Sequence, residues 1–292
     1  MAYLQVELEL SRAECEAVEA ALEAAGALAV TLSDPGDDPV LEPGVGETPL
    51  WARVRLTALF AADTSTEHVF SALGAYAEHA RLESLEDRAW ERAWLDTFRP
   101  MQFGERLWVC PTTADPPDPN AINLRLDPGL AFGTGTHPTT ALCLRWLDGQ
   151  VVPGQRVIDY GCGSGVLAIA ALLLGAQECI GIDNDPQALR ASAENAARNG
   201  VNERLLLWSA DETPPPPADG VVANILASTL IELAQRLTDA VKPGGWLALS
   251  GILEWQVEDV ARAYEAAFDL APPEIEEGWV LLAGRRRLPD GR

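Results

Sequence analysis

The segment best suited to hold a small nucleotide-like ligand is a glycine-rich turn with an acidic residue just before it. The apolar residues 157–158 predict a short strand that leads into Asp159, and the apolar run 166–174 predicts a helix after the turn. The glycines between the strand and the helix are Gly161, Gly163 and Gly165. Strand, glycine turn and helix together let the backbone approach such a ligand closely. Glycine is needed because a Cβ would hold the ligand away or forbid the angles of the turn.

The glycine spacing favours S-adenosylmethionine over a dinucleotide. The dinucleotide fingerprint is G-x-G-x-x-G. Here the third glycine comes one residue early, and position 166 is valine. S-adenosylmethionine has no phosphate to place at the helix N-terminus, but its α-amino group is a natural partner for the carboxylate of Asp159. A nicotinamide dehydrogenase is therefore the weakest alternative.

Three polar residues at the ends of later strands complete the predicted pocket. Asp183 ends the next strand, 179–183, where an acid accepts hydrogen bonds from ribose hydroxyls. Asp211 follows a strand at 204–208, where adenine would be read. Asn224 follows the apolar start of the segment 220–227, and its side-chain carbonyl suits an amine that accepts a methyl group. Upstream, residues 127–140 are rich in glycine and hydroxyl side chains and predict a pocket wall or lid, in which Phe132 is suited to cover a flat ring.

The elements that would position these residues form two predicted domains. Residues 1–86 show the order βαββαβ of a ferredoxin-like α+β domain, which we expect to recognise the substrate. Residues 87–105 predict a connecting helix and its link, with a core-facing aromatic stripe at Trp90, Trp94 and Phe98. Residues 106–292 alternate strands and helices and predict an α/β, Rossmann-like catalytic domain.

Composition restricts the function classes. The formal net charge of −23 disfavours stable binding to nucleic acid and favours a basic partner. Neither a C-x-x-C pair nor a cluster of histidines with cysteines occurs, so we expect no metal site. We expect a cytoplasmic monomer because the sequence shows no signal peptide and no apolar run long enough to span a membrane.

Three stretches of the sequence resemble the bacterial ribosomal protein L11 methyltransferase family. They are Leu126–Thr140, Val157–Gly165 and Val222–Ala227, and the resemblance also includes Pro100 and the run from Phe103 to Trp108. It is dense from about residue 87 onward and thinner over residues 1–86. The family implies a class I S-adenosylmethionine methyltransferase domain beside a domain that binds L11, with cofactor contacts at Thr140, Gly161, Asp183 and Asn224. One departure is Tyr160, where valine or phenylalanine is expected.

The resemblance implies methyl transfer to lysine ε-amino or N-terminal α-amino groups of L11. The acidic composition suits free L11, captured before it is assembled into ribosomes. An alternative is an N-methyltransferase acting on another amine, such as a nucleobase or a small molecule. No aromatic residue follows Asn224 to stack a flipped base, which disfavours the nucleobase. A non-enzymatic module that senses the cofactor is a third possibility, and it predicts cofactor binding without a methylated product.

Overall fold

The computed structural model describes residues 3–36, 51–85, 99–127 and 137–289. The chain divides into two compact units, Met1–Trp94 and Leu95–Arg292. The predicted connecting helix with its aromatic stripe, most of the segment 127–140, and Phe132 lie outside the described residues.

The N-terminal unit is a four-stranded antiparallel sheet with helices. Its elements are β1 Tyr3–Ser11, α1 Arg12–Ala24, β2 Ala29–Ser33, β3 Arg53–Ala61, α2 Thr66–Leu73, a 3-10 helix Gly74–His79, and β4 Arg81–Leu85. The strand order β2-β3-β1-β4 confirms the predicted ferredoxin-like arrangement. In β1, every second side chain from Leu4 to Leu10 is buried, because alternate residues of a strand face the same side.

The two helix starts predicted in this unit had different outcomes. In the sequence, Ser11 with Glu14 and Thr64 with Glu67 match the capping-box pattern, and the second predicts a helix to about residue 80. At α1 the capping box is confirmed, since the Glu14 carboxylate accepts the backbone N–H of Ser11 at 2.9 Å. At α2 the prediction of Thr64 as the cap was wrong. The helix is capped by Ser65, whose hydroxyl accepts the N–H of His68 at 3.4 Å. The helix also ends early, at Leu73, where a 3-10 turn replaces the predicted continuation to residue 80.

A small three-stranded sheet opens the second unit. It contains β5 Met101–Phe103, β6 Leu107–Cys110 and β7 Ile122–Arg125. The sequence of residues 101–110 predicts a single strand, and this prediction was wrong, because the chain reverses at Gly104, which has φ +72°. The buried carboxylate of Asp148 holds this turn by accepting the N–H groups of Glu105 at 2.7 Å and Arg106 at 3.3 Å.

The main sheet has eight strands with helices on both faces. Its elements are α3 Pro138–Gln150, β8 Arg156–Tyr160, α4 Val166–Leu173, β9 Glu178–Asp183, α5 Pro186–Arg198, β10 Leu205–Ser209, β11 Ala218–Asn224, α6 Ala227–Glu232, α7 Ala234–Ala240, β12 Val241–Leu253, α8 Val257–Tyr264, β13 Phe268–Leu270, β14 Glu274–Glu276 and β15 Trp279–Arg286. The strand order is β10-β9-β8-β11-β12-β15-β13, with β14 beside β15. Strands β8 to β12 are parallel, and β15 runs antiparallel to β12. The predicted doubly wound, Rossmann-like sheet is confirmed.

Three details of this unit differ from the prediction. The sequence predicts one helix over 228–241, whereas the structure has two, α6 and α7, separated at Leu233. The sequence also predicts a strand over 246–250, whereas β12 begins at Val241, because a register shift against β11 accommodates the extra residues around Gly244. The short strands β13 and β14 were not predicted, and three-residue strands carry too little sequence pattern to be recognised alone.

Apolar side chains cover both faces of the main sheet, so a ligand site is expected at the ends of its strands. Neighbouring residues of β8, Val157 and Ile158, belong to separate core clusters on opposite faces. The parallel strands are therefore apolar throughout and polar only at their ends. In such sheets ligands bind beyond the carboxyl ends of the strands.

Candidate functional site

A cavity of about 730 Å³ lies at the carboxyl ends of the parallel strands. Its wall takes residues from six neighbouring strand ends across the sheet, namely Asp211, Asp183, Gly161, Asn224, Gly251 and Trp279. Since β15 runs antiparallel to β12, it contributes its first residue rather than its last. The cavity is large enough for a ligand of nucleoside size.

The glycine turn forms one part of this cavity, as its spacing predicted. Gly161, Gly163 and Gly165 all have positive φ, between +53° and +78°. The N–H of Gly161 donates to the carbonyl of Ile182 at 2.7 Å, which fixes the turn against β9. A Cβ at Gly161 would lie 2.3 Å from the Cγ2 of Ile225, so no side chain fits. Gly161 lines the cavity, whereas Gly163 and Gly165 are not among the lining residues.

Asp159 lies beneath the turn rather than in the cavity wall. Its side chain is buried, and its Oδ2 accepts the N–H of Ala168 in the first turn of α4 at 2.9 Å. Its Oδ1 has no hydrogen-bond partner among the described residues. Burial raises the pKa of the Asp159 carboxyl to about 7, while the Ala168 N–H acts in the opposite direction. Asp159 therefore caps the helix that follows the glycines, and its contact with a cofactor amino group stays a prediction.

Asp183 connects the glycine turn to the start of the next helix. Its Oδ2 accepts the N–H of Gly163 at 2.9 Å, and its Oδ1 accepts the N–H of Asp185 at 3.0 Å. The carboxylate is half-buried and lines the cavity together with Asp211, which is exposed. The two acids predicted for ribose and adenine thus lie at the ends of adjacent strands, β9 and β10.

Asn224 and Thr140 come together although the sequence separates them widely. The Asn224 Nδ2 donates to the Thr140 Oγ1 at 3.2 Å. Thr140 lies in the first turn of α3 and is fully buried, so it is behind the wall rather than in it. Asn224 lines the cavity. The arrangement leaves the amide oxygen of Asn224 to accept a hydrogen bond.

His137 caps α3 and forms an aromatic pair with Trp279 in the cavity wall. The ring centroids are 4.9 Å apart with an interplanar angle of 67°. The His137 Nδ1 lies 2.7 Å from the Thr139 hydroxyl. Burial lowers the pKa of His137, although the charge of Glu277 opposes the shift. No local sequence pattern indicates a role for Trp279, because only the antiparallel course of β15 brings its first residue to this edge.

Arg236 and Tyr160 form a second pair at the cavity that the sequence did not predict. The guanidinium carbon lies 5.7 Å from the centre of the Tyr160 ring, and both residues line the cavity. Arg236 lies in the first turn of α7 and is half-buried, although a lone charge on a short helix is normally expected to face the solvent.

The residues that the structure describes support neither reactive cysteines, nor a metal site, nor a membrane-spanning helix. All five cysteines are unpaired and buried, and burial raises the pKa of each thiol: Cys15, Cys110, Cys143, Cys162 and Cys179. No group of three or more acids, histidines and cysteines suited to a metal occurs in the described ranges. None of the described helices is long and apolar enough to cross a membrane.

The cavity fits S-adenosylmethionine. It combines a glycine turn without room for a side chain and a half-buried carboxylate at the end of the second strand. These features suit, in that order, a close backbone approach and ribose hydroxyls.

Comparisons with known proteins agree with this geometry. The family model described as ribosomal protein L11 methyltransferase (PrmA) matches residues 2–287. A ribosomal protein L11 methyltransferase of Hahella chejuensis is 55% identical over 289 residues, 98% of this chain and 99% of the relative. One of Pseudomonas putida strain F1 is 54% identical over 292 residues, 98% of this chain and 100% of the relative.

A solved structure supports the same assignment. The crystal structure of a ribosomal protein L11 methylase from Lactobacillus delbrueckii subsp. bulgaricus matches with a TM-score of 0.59 and 32% identity, and the match covers 65% of this chain and 100% of that one. The chain therefore belongs to the ribosomal protein L11 methyltransferase family and is an S-adenosylmethionine-dependent methyltransferase with a class I, Rossmann-like catalytic domain.

Proposed function

We propose that this chain transfers methyl groups to amines of ribosomal protein L11, at lysine ε-amino groups, the N-terminal α-amino group, or both. The names of relatives more than half identical to this chain support L11 as the substrate over another amine. The position of Asn224 carries the proposal, because a neutral hydrogen-bond acceptor in the cavity wall suits an amine nucleophile.

Asn224 is the residue to which we assign the catalytic role. Its Nδ2 is engaged by the buried hydroxyl of Thr140 at 3.2 Å, so the amide is oriented before a substrate arrives. The amide oxygen would then accept an N–H of the amine and direct the nitrogen lone pair. S-adenosylmethionine, when bound, would supply a methyl group on a sulfonium, from which a neutral thioether is readily displaced. The protein contributes mainly alignment and proximity.

The amine must lose a proton before it attacks, and we assign no strong base to that step. A lysine with a pKa of about 10.4 is mostly protonated near neutral pH, and burial of the amine favours its neutral form. His137 is the nearest candidate for a base. Its Nδ1 is already engaged by Thr139 as the cap of α3. We therefore expect the proton to pass to water.

We assign the remaining predicted residues to the cofactor according to their place in the fold. Gly161, Asp183, Asp211 and Asn224 would contact it directly, since they line the cavity. Thr140, Asp159, Gly163 and Gly165 would act from behind the wall by fixing Asn224 and the glycine turn. Phe132, outside the described residues, stays a prediction for covering the adenine.

The net charge of the chain indicates which form of L11 it would encounter. With a net charge of −23 the chain attracts a basic protein and repels ribosomal RNA, so free L11 in the cytoplasm is the form we expect it to modify. Residues 1–86 would recognise L11, residues 87–105 would link them to residues 106–292, and the chain would act as a monomer.

The test is methyl transfer to purified free L11, read by intact mass. The wild-type chain should add mass in steps of one methyl group. Asn224→Ala should lower the rate by about one to two orders of magnitude, as expected for loss of an orienting hydrogen bond. Gln235→Ala, in which an exposed side-chain pair with Asp239 is removed, is the matched control and should leave the rate unchanged.

Two outcomes would contradict the proposal. If L11 gains no mass while the chain still binds S-adenosylmethionine, the substrate is a different amine. If assembled ribosomes are methylated faster than free L11, capture before assembly is wrong.

A further inference from the structure

The guanidinium of Arg236 is held in place by two contacts made at once. Its Nη2 donates to the carbonyl of Ala210 at 2.7 Å. Its carbon lies 5.7 Å from the centre of the Tyr160 ring, within the range of a cation–π contact. A long side chain normally loses much rotamer freedom when it binds a ligand, and here that freedom is already restricted. Arg236 is thus a pre-organised planar cation in the cavity wall.

The two contacts also locate the guanidinium within the cavity. The N–H of Ala210 donates to the carbonyl of Asp183 at 3.0 Å, and Ala210 directly precedes Asp211. The hydrogen bond to Ala210 therefore puts the guanidinium of Arg236 beside the two acidic strand ends. Asp183 is the acid suited to ribose, so this part of the cavity is the one that suits the adenosine portion of the cofactor.

We propose that Arg236, held by the Tyr160 ring and the Ala210 carbonyl, is a binding residue for the adenine base of the cofactor. A guanidinium is planar and weakly hydrated and stacks on aromatic faces, which a purine provides. Leu233, which directly precedes α7, also lines the cavity. A flat cation next to an apolar side chain forms a surface suited to a purine.

An alternative ligand for a cavity arginine is the carboxylate of the methionine portion. The hydrogen bond favours adenine, because Ala210 follows β10 and its N–H donates to Asp183, the acid suited to ribose. The Tyr160 contact does not distinguish the two ligands, since Tyr160 directly precedes the glycine turn. The two assignments predict different results with a ligand that has adenosine but no amino-acid portion.

The test measures dissociation constants by calorimetry for S-adenosylmethionine, S-adenosylhomocysteine and 5′-methylthioadenosine, with the full chain. Arg236→Leu should weaken all three by the same factor, about 5- to 30-fold, the range of a desolvated cation–π contact. Arg236→Lys keeps the positive charge but lacks the planar guanidinium. It should restore less than half of the lost affinity on a logarithmic scale.

Arg204→Leu is the matched control. Arg204 also donates to backbone carbonyls, those of Leu172 and Ala176, but it does not line the cavity. Its substitution should lower the melting temperature of the free protein without changing any dissociation constant.

Three results would overturn the assignment. Unchanged 5′-methylthioadenosine binding in Arg236→Leu would place the arginine elsewhere, whether or not binding of the other two ligands falls. Full affinity in Arg236→Lys would mean that binding depends on the positive charge and not on the planar guanidinium. An equal loss in Arg204→Leu would make the effect one of general stability. The inference rests on the family's cofactor and not on the proposed L11 substrate, so absence of L11 methylation with these binding results intact would leave it standing.

Discussion

The Nδ2 of Asn224 lies 3.2 Å from the Oγ1 of Thr140, although 84 residues separate them in the chain. Asn224 ends β11, and Thr140 lies in the first turn of α3, so the bond joins the tip of the sheet to the start of a helix. Because Thr140 is fully buried, water cannot replace it as the partner of the amide. The orientation of the side chain that lines the cavity therefore depends on a residue that does not line it.

Thr140→Val tests that dependence, since valine has nearly the same shape without the hydroxyl. We expect kcat for L11 methylation to fall about 10-fold and cofactor affinity to change less, because the amide of Asn224 is left without its partner. Steady-state kinetics and calorimetry measure the two effects. In the double variant with Asn224→Ala the losses should not add, since the same interaction is removed twice. Fully additive losses would show that the two residues act independently.

Asp159→Asn should remove the loss of folding stability that ionisation of Asp159 causes as the pH rises. The pKa of Asp159 is raised by burial to about 7 from an unfolded value near 3.9, so its protonated form favours the folded state. That contribution is complete below about pH 4 and is lost as the pH rises through about 7, at about 1.4 kcal/mol per pKa unit.

Urea unfolding of both proteins across this range should show the variant gaining on the wild type as the pH rises. The neighbouring ionisable groups, Cys143, Cys162, Cys179 and Asp183, are the same in both proteins, so the difference isolates Asp159. A difference that stays constant with pH would contradict the raised pKa.

Gly251→Ala should distort the sheet tip beside Asn224. Gly251 has φ +82°, and an added Cβ would lie 2.3 Å from the backbone oxygen of Ile225. Gly154→Ala is the matched control, because Gly154 has φ +89° with open space around it. The control should lose only about 1–2 kcal/mol from the left-handed conformation. Gly251→Ala should lose clearly more in chemical unfolding. Equal losses would mean that the backbone at Ile225 moves freely.

Asp148→Ala should destabilise the second unit by about 1–3 kcal/mol, because it removes the buried carboxylate that accepts the backbone N–H groups of Glu105 and Arg106. Asp148 lies in the last turn of α3, whereas Thr140 lies in the first turn. We therefore expect methyl transfer to fall only as far as the variant loses stability. Asp259→Ala, which removes an exposed ion pair with Arg262, should change the free energy of unfolding by less than about 0.5 kcal/mol. If both variants unfold alike, the buried carboxylate does not hold the turn.

Salt should weaken the encounter with L11 more than the binding of the cofactor. The charge of −23 acts over a distance that ions screen. Raising the salt concentration from about 0.05 M to about 0.5 M should raise KM for L11 several-fold and leave the dissociation constant of S-adenosylmethionine nearly unchanged. A KM for L11 that is insensitive to salt would remove charge as the basis of recognition.

The sequence by itself determined the parts of this protein that depend on neighbouring residues. The glycine turn after β8, the acid at the end of β9 and the alternation in β1 are local, because backbone angles and strand periodicity are set within a few residues. Local sequence patterns led to a wrong prediction where a residue far away in the sequence determines the local structure. The strand expected over 101–110 is a hairpin because Asp148, some forty residues further on, accepts the N–H groups of its turn.

The tertiary structure decided which side chains face the cavity. Asp159 and Asp183 look alike in sequence, each at the end of a strand, yet one caps a helix beneath the turn and the other lines the wall. Strand order brings Trp279 to the same edge, and the packing of α7 over Tyr160 does the same for Arg236. No local pattern carries these relations, because they arise from contacts between residues that only the folded chain brings together.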